Sequence, residues 1–224
     1  MTLSLLARCP DTHQFGMVIA SSSPAVAARC AHARAGVGVA ASQNITDPAL
    51  GFALLDQLAN GQTAARAMQA IVTSTRHIAH RQLMLVDRQG DTAFHCGNGM
   101  LGIWATANAP GVIAGGNLLA NRRVPDAMVA AYNASNAPFG PRLITALRAG
   151  LDAGGEAGRL HSAGLLIVDK LSWPIVDLRC DWSEDCPIET LAAAWHVYQP
   201  QMQAYVQRAV DPGHAPSYGV PGDP

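Results

Sequence analysis

Thr2 carries the widest chemical reach in this chain, because it follows Met1 directly and opens the strand-like run Thr2-Leu3-Ser4-Leu5-Leu6-Ala7. Initiator methionine is commonly removed when a small residue follows it, so the mature chain is expected to begin at Thr2. A terminal threonine holds a hydroxyl nucleophile and a free α-amine on one residue. With a reference pKa of about 7.7–8.0, that amine can accept the hydroxyl proton near neutral pH. Against this stands the plain fact that threonine in second position is common and by itself carries no function.

Further polar residues fall where apolar runs end. Ser21-Ser22-Ser23-Pro24 closes the second run. Ordinary turn chemistry accounts for hydroxyls there, yet in a hairpin the end of the second strand lies beside the start of the first, within reach of Thr2 or of a substrate. Arg34 stands among Ala and Gly before the third run, where an unpaired guanidinium is costly to bury. Either it has a carboxylate partner, such as Asp47 or a substrate acid, or it is exposed. Gln43 and Asn44 end that run with donors suited to a carbonyl oxygen. In Gly115-Gly116-Asn117 the glycines permit close backbone approach and Asn117 has a donor for an oxyanion; a glycine turn or a helix N-cap explains the same residues equally well. No Lys-Ser/Thr follows, so this is not a phosphate loop, and no Gly-x-Ser-x-Gly elbow occurs. His77 and His80 would share a helix face but lack a third ligand nearby, which leaves a solvent-facing helix end.

The elements that must position these residues follow from periodicity and turn signals. Strands are expected at 3–8, 15–20, 36–42, 81–87, 91–95, 111–114, 163–168 and 175–178. Helices are expected at 49–60, 63–74, 124–134 and 142–153, with a long helical stretch over 189–210 kinked near Pro200. Hairpins prevail over strict strand–helix alternation. That order predicts an α+β chain of two mostly antiparallel sheets with helical layers outside. Residues 1–210 read as one domain and 211–224 as a Pro/Gly-rich irregular tail.

Composition narrows the function classes. The chain has 224 residues, 49% hydrophobic and 14% charged, which describes a folded domain with a substantial core. A net charge of −1 gives no overall field to attract nucleic acid or anionic lipid. No apolar run reaches the roughly 18 residues of a membrane span. The N-terminus lacks the basic-then-apolar layout of a secretory signal. Five cysteines without a Cys-x-x-Cys pair read as reduced thiols, and the expected compartment is the cytoplasm. No spacing calls for a metal or cofactor. The expected partner is a small-molecule substrate, and the Ala-rich helix faces point to a homodimer.

Met1-Thr2-Leu3-Ser4, Ala20-Ser21-Ser22-Ser23-Pro24-Ala25-Val26, Ala33-Arg34-Ala35-Gly36-Val37-Gly38, Ser42-Gln43-Asn44 and Gly116-Asn117-Leu118-Leu119-Ala120 together resemble an uncharacterised bacterial domain-of-unknown-function family. That family belongs with the N-terminal nucleophile (Ntn) hydrolase-like folds. The resemblance implies a four-layer αββα sandwich with Thr2 as the nucleophile at the head of a central strand. By the same resemblance Ser22 and Arg34 fall near polar partners of the nucleophile. The implied activity is hydrolysis of a C–N bond, amide or ureido, in a small molecule, with Thr2, Ser22 and Asn117 catalytic. Ser21, Ser23, Arg34, Gln43, Asn44 and Gly116 would bind substrate. The alternatives are a non-catalytic ligand-binding or scaffold protein that keeps the fold, and a peptidase.

Overall fold

The computed structural model describes residues 2–222. Met1, whose removal the sequence reading expects, and the last two tail residues, Asp223 and Pro224, lie outside the described residues.

Six strands form one sheet: β1 (Thr2–Arg8), β2 (Phe15–Ser21), β7 (Ala105–Ala109), β8 (Val112–Asn117), β9 (Ser162–Val168) and β10 (Val176–Cys180), in the order β10-β9-β2-β1-β8-β7. A second sheet runs β3-β4-β5-β6, from β3 (Ala31–Arg34), β4 (Gly38–Asn44), β5 (Arg81–Asp87) and β6 (Thr92–Cys96). Neighbouring strands pair antiparallel in both sheets.

Side chains alternate across a strand, and β1 shows how that alternation builds the layers. Leu3, Leu5 and Ala7 pack into a core with α4 (Val124–Ala134), α5 (Phe139–Asp152) and α6 (Pro187–Tyr198). Leu6 points the other way, into a core shared by the two sheets with Met17, Ile19, Val39 and Met84. On the far face of the second sheet, α2 (Pro48–Ala59) and α3 (Ala64–Ser74) bury Leu54, Leu55, Ala67 and Met68 against Leu83 and Leu85. The result is the expected helix–sheet–sheet–helix sandwich. Asp47 caps α2 by accepting from the Ala49 amide, with Pro48 in the first turn, and Thr63 caps α3.

Several boundaries differ from expectation. The third apolar run is the second arm of a hairpin: it starts at Gly38, and Gly36, at φ 69°, turns the chain back from β3. The short α1 (Val26–Cys30) and β3 are too brief to show a period, and β7 is built from Ala, Thr and Asn, of which Ala and Asn are poor strand formers. His77 sits at φ 59° and begins a 3-10 turn over Ile78–His80, so His77 and His80 do not share an α-helical face. The helical stretch over 189–210 is two helices, α6 and α7 (Met202–Val210), separated by a 3-10 turn at Gln199–Gln201 that contains Pro200. The tail is not loose where it follows α7. Arg208 donates to the Pro216 and Ser217 carbonyls and lies over the Tyr218 ring, 3.8 Å from its centroid.

Gly51 tests the packing of α2 on the second sheet. Alanine there gains about 1 kcal/mol in helix propensity. An added Cβ would stand 2.0 Å from the His32 ring, however, and overpacking costs about 1–3 kcal/mol. Gly51→Ala is therefore expected to lower the midpoint of thermal unfolding; a raised midpoint would contradict this packing.

Candidate active site

Three adjacent strands bring polar residues to one row at the head of β1. Thr2 pairs with Asn117 on β8, and Leu3 pairs with Ala20 on β2, which sets Ser21 opposite Thr2 on the other side. Strands lie about 4.8 Å apart, so the row spans roughly 10 Å. All three residues fall on the face turned toward the second sheet: Thr2 two positions from Ser4, Ser21 two from Ile19, Asn117 two from Gly115. Thr2 is 4% exposed, and Ser21 and Asn117 are fully buried. The hairpin reading that placed Ser21 beside Thr2 corresponds to this register.

Beneath the row a buried chain of hydrogen bonds ties the two sheets. The Gln82 amide nitrogen donates to the Gly116 carbonyl at 3.1 Å. Its oxygen must then face the other way, where it accepts from Gln43 at 2.8 Å and from Asn117 Nδ2 at 3.1 Å. Gln43 in turn accepts from the Ser4 hydroxyl at 2.9 Å, and its nitrogen reaches the Gly115 carbonyl at 3.5 Å. The amides in this network are oriented by the Gly115 and Gly116 carbonyls, which can only accept. Asn117 Oδ1 is left buried with no hydrogen-bond partner among the described residues. It is an acceptor in the same row as Thr2.

Glu156 completes the site and had no signal in the sequence, where it is one acidic residue after Gly154-Gly155. It pairs through its backbone with Leu119, just past Asn117, and its carboxylate accepts from the Ser22 amide at 3.1 and 3.3 Å. Burial raises its pKa to about 7, against the lowering effects of the Ser22 hydroxyl, the charge of the chain's amino terminus and the Ser22 amide. The backbone here is strained as well. Of five non-glycine residues with left-handed φ among the described residues, Ala25, Asn44 and Leu118 lie at this end of the sandwich. Such strain gathers at functional sites.

The other expected site residues take different places. Ser23 donates its amide to the Ser21 hydroxyl and accepts from the Ser162 hydroxyl at its carbonyl, so the serine cluster is also a hydrogen-bonded turn. Gln43 is fully buried and both ends of its amide are used in the inter-sheet chain, which removes it as a substrate contact. Asn44 holds the 97–104 segment: it donates to the His80 carbonyl and accepts from the Leu101 amide. That segment also takes the Leu118 and Leu119 amides on Leu101 and Ile103, bridging the two sheets at the Thr2 end. Gly116 faces the helical layer, where a Cβ would stand 2.6 Å from Leu119 and 2.7 Å from the Thr2 carbonyl; it lets β8 approach β1 and does not face the row. Arg34 is corrected. It closes β3 opposite Gly38, five residues along β4 from Gln43 or about 16 Å, and its half-exposed guanidinium pairs with Asp56 at 2.8 Å. Asp47 is occupied as the cap of α2.

Two measurements probe this arrangement. Gln82→Leu leaves the Asn117 amide nitrogen without a partner, takes the side-chain donor from the Gly116 carbonyl and leaves the Gln43 nitrogen only the longer contact to the Gly115 carbonyl. At about 1–3 kcal/mol for a buried group left unsatisfied, it is expected to lower the unfolding midpoint by several degrees or more, and an unchanged midpoint would contradict the network. For Glu156, a pKa raised on folding means that the folded state holds more protons between about pH 4.5 and 7, so its contribution to stability falls as pH rises through that window. Glu156→Gln is expected to flatten that slope, and denaturation at a series of pH values checks it.

No curated protein matches the chain. Among solved structures, a protein from Silicibacter pomeroyi described by the family DUF1028 is 30% identical, with a TM-score of 0.83 over 88% of this chain and 89% of that one. Anbu from Hyphomicrobium sp. strain MC1 is 12% identical with a TM-score of 0.42, covering 97% of this chain and 100% of that one. Anbu, an ancestral beta-subunit, from Yersinia bercovieri is 9% identical at 0.38, covering 90% and 96%. Those two scores are too low to carry an argument. The family of unknown function DUF1028 matches residues 2–191, and the chain belongs to that family.

Proposed function

We propose that the protein is an N-terminal-threonine amidohydrolase that cleaves a C–N bond of a small molecule once Met1 has been removed. The observation that carries this reading is the register of β1, which sets Thr2 in a buried row with Ser21 and Asn117 at the strained end of the sandwich.

In the proposed reaction Thr2 Oγ attacks the substrate carbonyl carbon while its own α-amine takes the hydroxyl proton. The C–N bond breaks as that proton passes to the leaving nitrogen. Water, deprotonated by the same amine, then hydrolyses the acyl ester and restores the hydroxyl. Asn117 Oδ1 has an acceptor to offer the α-amine, and its carbonyl orientation is imposed by Gln82. Glu156, tied to Ser22, supplies a carboxylate whose charge balances the protonated amine during turnover. With the Gln43 and Asn117 nitrogens both committed to the inter-sheet network, oxyanion stabilisation falls to backbone amides. A homodimer remains part of this reading, with exposed Val197, Val210 and Tyr218 on α6, α7 and the tail as the surface to test by light scattering.

Thr2→Ala is expected to reduce turnover of a responsive amide by at least about 1,000-fold with the fold intact by circular dichroism, and Thr2→Ser to retain part of it. Equal turnover by Thr2→Ala would overturn the proposal. The rate of the native enzyme is expected to rise with pH as the α-amine deprotonates, around pH 7.7–8.0 for an unperturbed amine. A screen that sets small N-acyl and carbamoyl compounds against short peptides separates an amidohydrolase from a peptidase.

A further inference from the structure

The opposite pole of the sandwich, where β1 ends at Arg8, holds a cavity that the proposed chemistry does not use. It encloses about 370 Å³, inside the range of roughly 300–1,000 Å³ typical of small-molecule sites. Phe139, Ile167, Ile175, Trp195 and Met202 form apolar walls, and Arg142 lines it as well. Arg142 also lines a wider cleft of about 930 Å³ together with Arg8, so this residue is shared by the two spaces.

Arg142 is held in place without being neutralised. Its Nε donates to the Tyr132 carbonyl at 2.6 Å, and the guanidinium lies over the Tyr132 ring, 3.9 Å from the centroid. These contacts fix the plane of the fork. Among the described residues no carboxylate pairs with it and its two Nη groups have no hydrogen-bond partner, whereas Arg34, Arg148 and Arg179 each have an acidic partner. A fixed guanidinium with its outer nitrogens free is suited to bidentate contact with a carboxylate. Beneath it the Tyr132 hydroxyl is buried with no partner among the described residues. Its pKa is pushed up to about 12, chiefly by burial, which keeps it a donor. Asp11 also lines the cavity and is exposed, which disfavours a second negative charge on an occupant.

We propose that this cavity binds a small hydrophobic monocarboxylate, with its hydrocarbon body among Phe139, Ile175, Trp195 and Met202 and its carboxylate on Arg142. The outer wall is a feature of this chain's C-terminal helices, because Trp195, Gln199 and Met202 follow residue 191, where the family match ends. Gly140 is part of the fit: a Cβ there would stand 2.5 Å from the Trp195 ring.

Calorimetric titration of the full chain with octanoate, octanamide and octylammonium tests the proposal. Octanoate is expected to bind with a Kd below about 1 mM, and the amide and the amine at least about tenfold more weakly. Arg142→Gln is expected to weaken octanoate about tenfold or more while leaving octanamide unchanged, and Met202→Trp, which fills the cavity, to abolish binding. Because Arg142 also holds the end of α4, the unmodified protein supplies an independent reading: the Trp195 indole resonance should shift on addition of octanoate. No binding at about 10 mM octanoate, equal binding of octanoate and octanamide, undiminished binding by Met202→Trp, or an unmoved Trp195 resonance would each overturn it.

Discussion

The Gly116 carbonyl can only accept a hydrogen bond, and the polar end of the sandwich is organised around that constraint. Gln82 must present its nitrogen to that carbonyl. Its oxygen is thereby aimed at Gln43 and Asn117, which must present nitrogens in turn. Ser4 on β1 then donates to the Gln43 oxygen. The Gly116 carbonyl, together with the Gly115 carbonyl that the Gln43 nitrogen also reaches, thus sets the direction of four side chains on four strands of two sheets. It also turns Asn117 Oδ1 away from the network, as an unpartnered acceptor in the Thr2 row. Fully buried polar groups are costly unless satisfied, so the network favours one register between the sheets over its neighbours.

The two ends of β1 differ because of what surrounds them. In its middle the strand is packed on both faces by apolar side chains, with Leu5 toward the helices and Leu6 toward the second sheet. At the head, the inter-sheet layer changes from Met, Ile and Val to Ser, Gln and Asn, and a buried carboxylate joins them at Glu156. Past the tail of the strand, Cys9, Asp11 and Thr12 line an apolar cavity with the start of α5 and the chain's last helices, and Arg142, without an acidic partner among the described residues, lines it too. The same sheet therefore supports a buried polar end and a hydrophobic recessed end, about one strand length apart.

Much of this was legible in the sequence. Long runs such as Leu83 to Val86 and helices such as α5 declared their periods, and the preponderance of hairpins pointed to two antiparallel sheets. The neighbourhood of Thr2 and Ser21 followed from a hairpin alone. What escaped was short or non-local. α1 and β3 are too brief for a period, and Arg34 looked available because its partner, Asp56, comes 22 residues later on α2. Gln43 read as a substrate donor because the residues that consume its amide, Ser4 and Gln82, are each 39 residues away. Glu156 was silent for the same reason: only the fold brings it to Ser22, 134 residues earlier.

The central claim is that Thr2, freed of Met1, is the nucleophile. Intact-protein and N-terminal-peptide mass spectrometry after brief exposure to an activated small amide tests it most directly. The account predicts a mature chain that lacks Met1 and carries one acyl adduct on Thr2, lost again as turnover completes. A chain that hydrolyses the amide while retaining Met1, or that is acylated elsewhere with Thr2 unmodified, would contradict it.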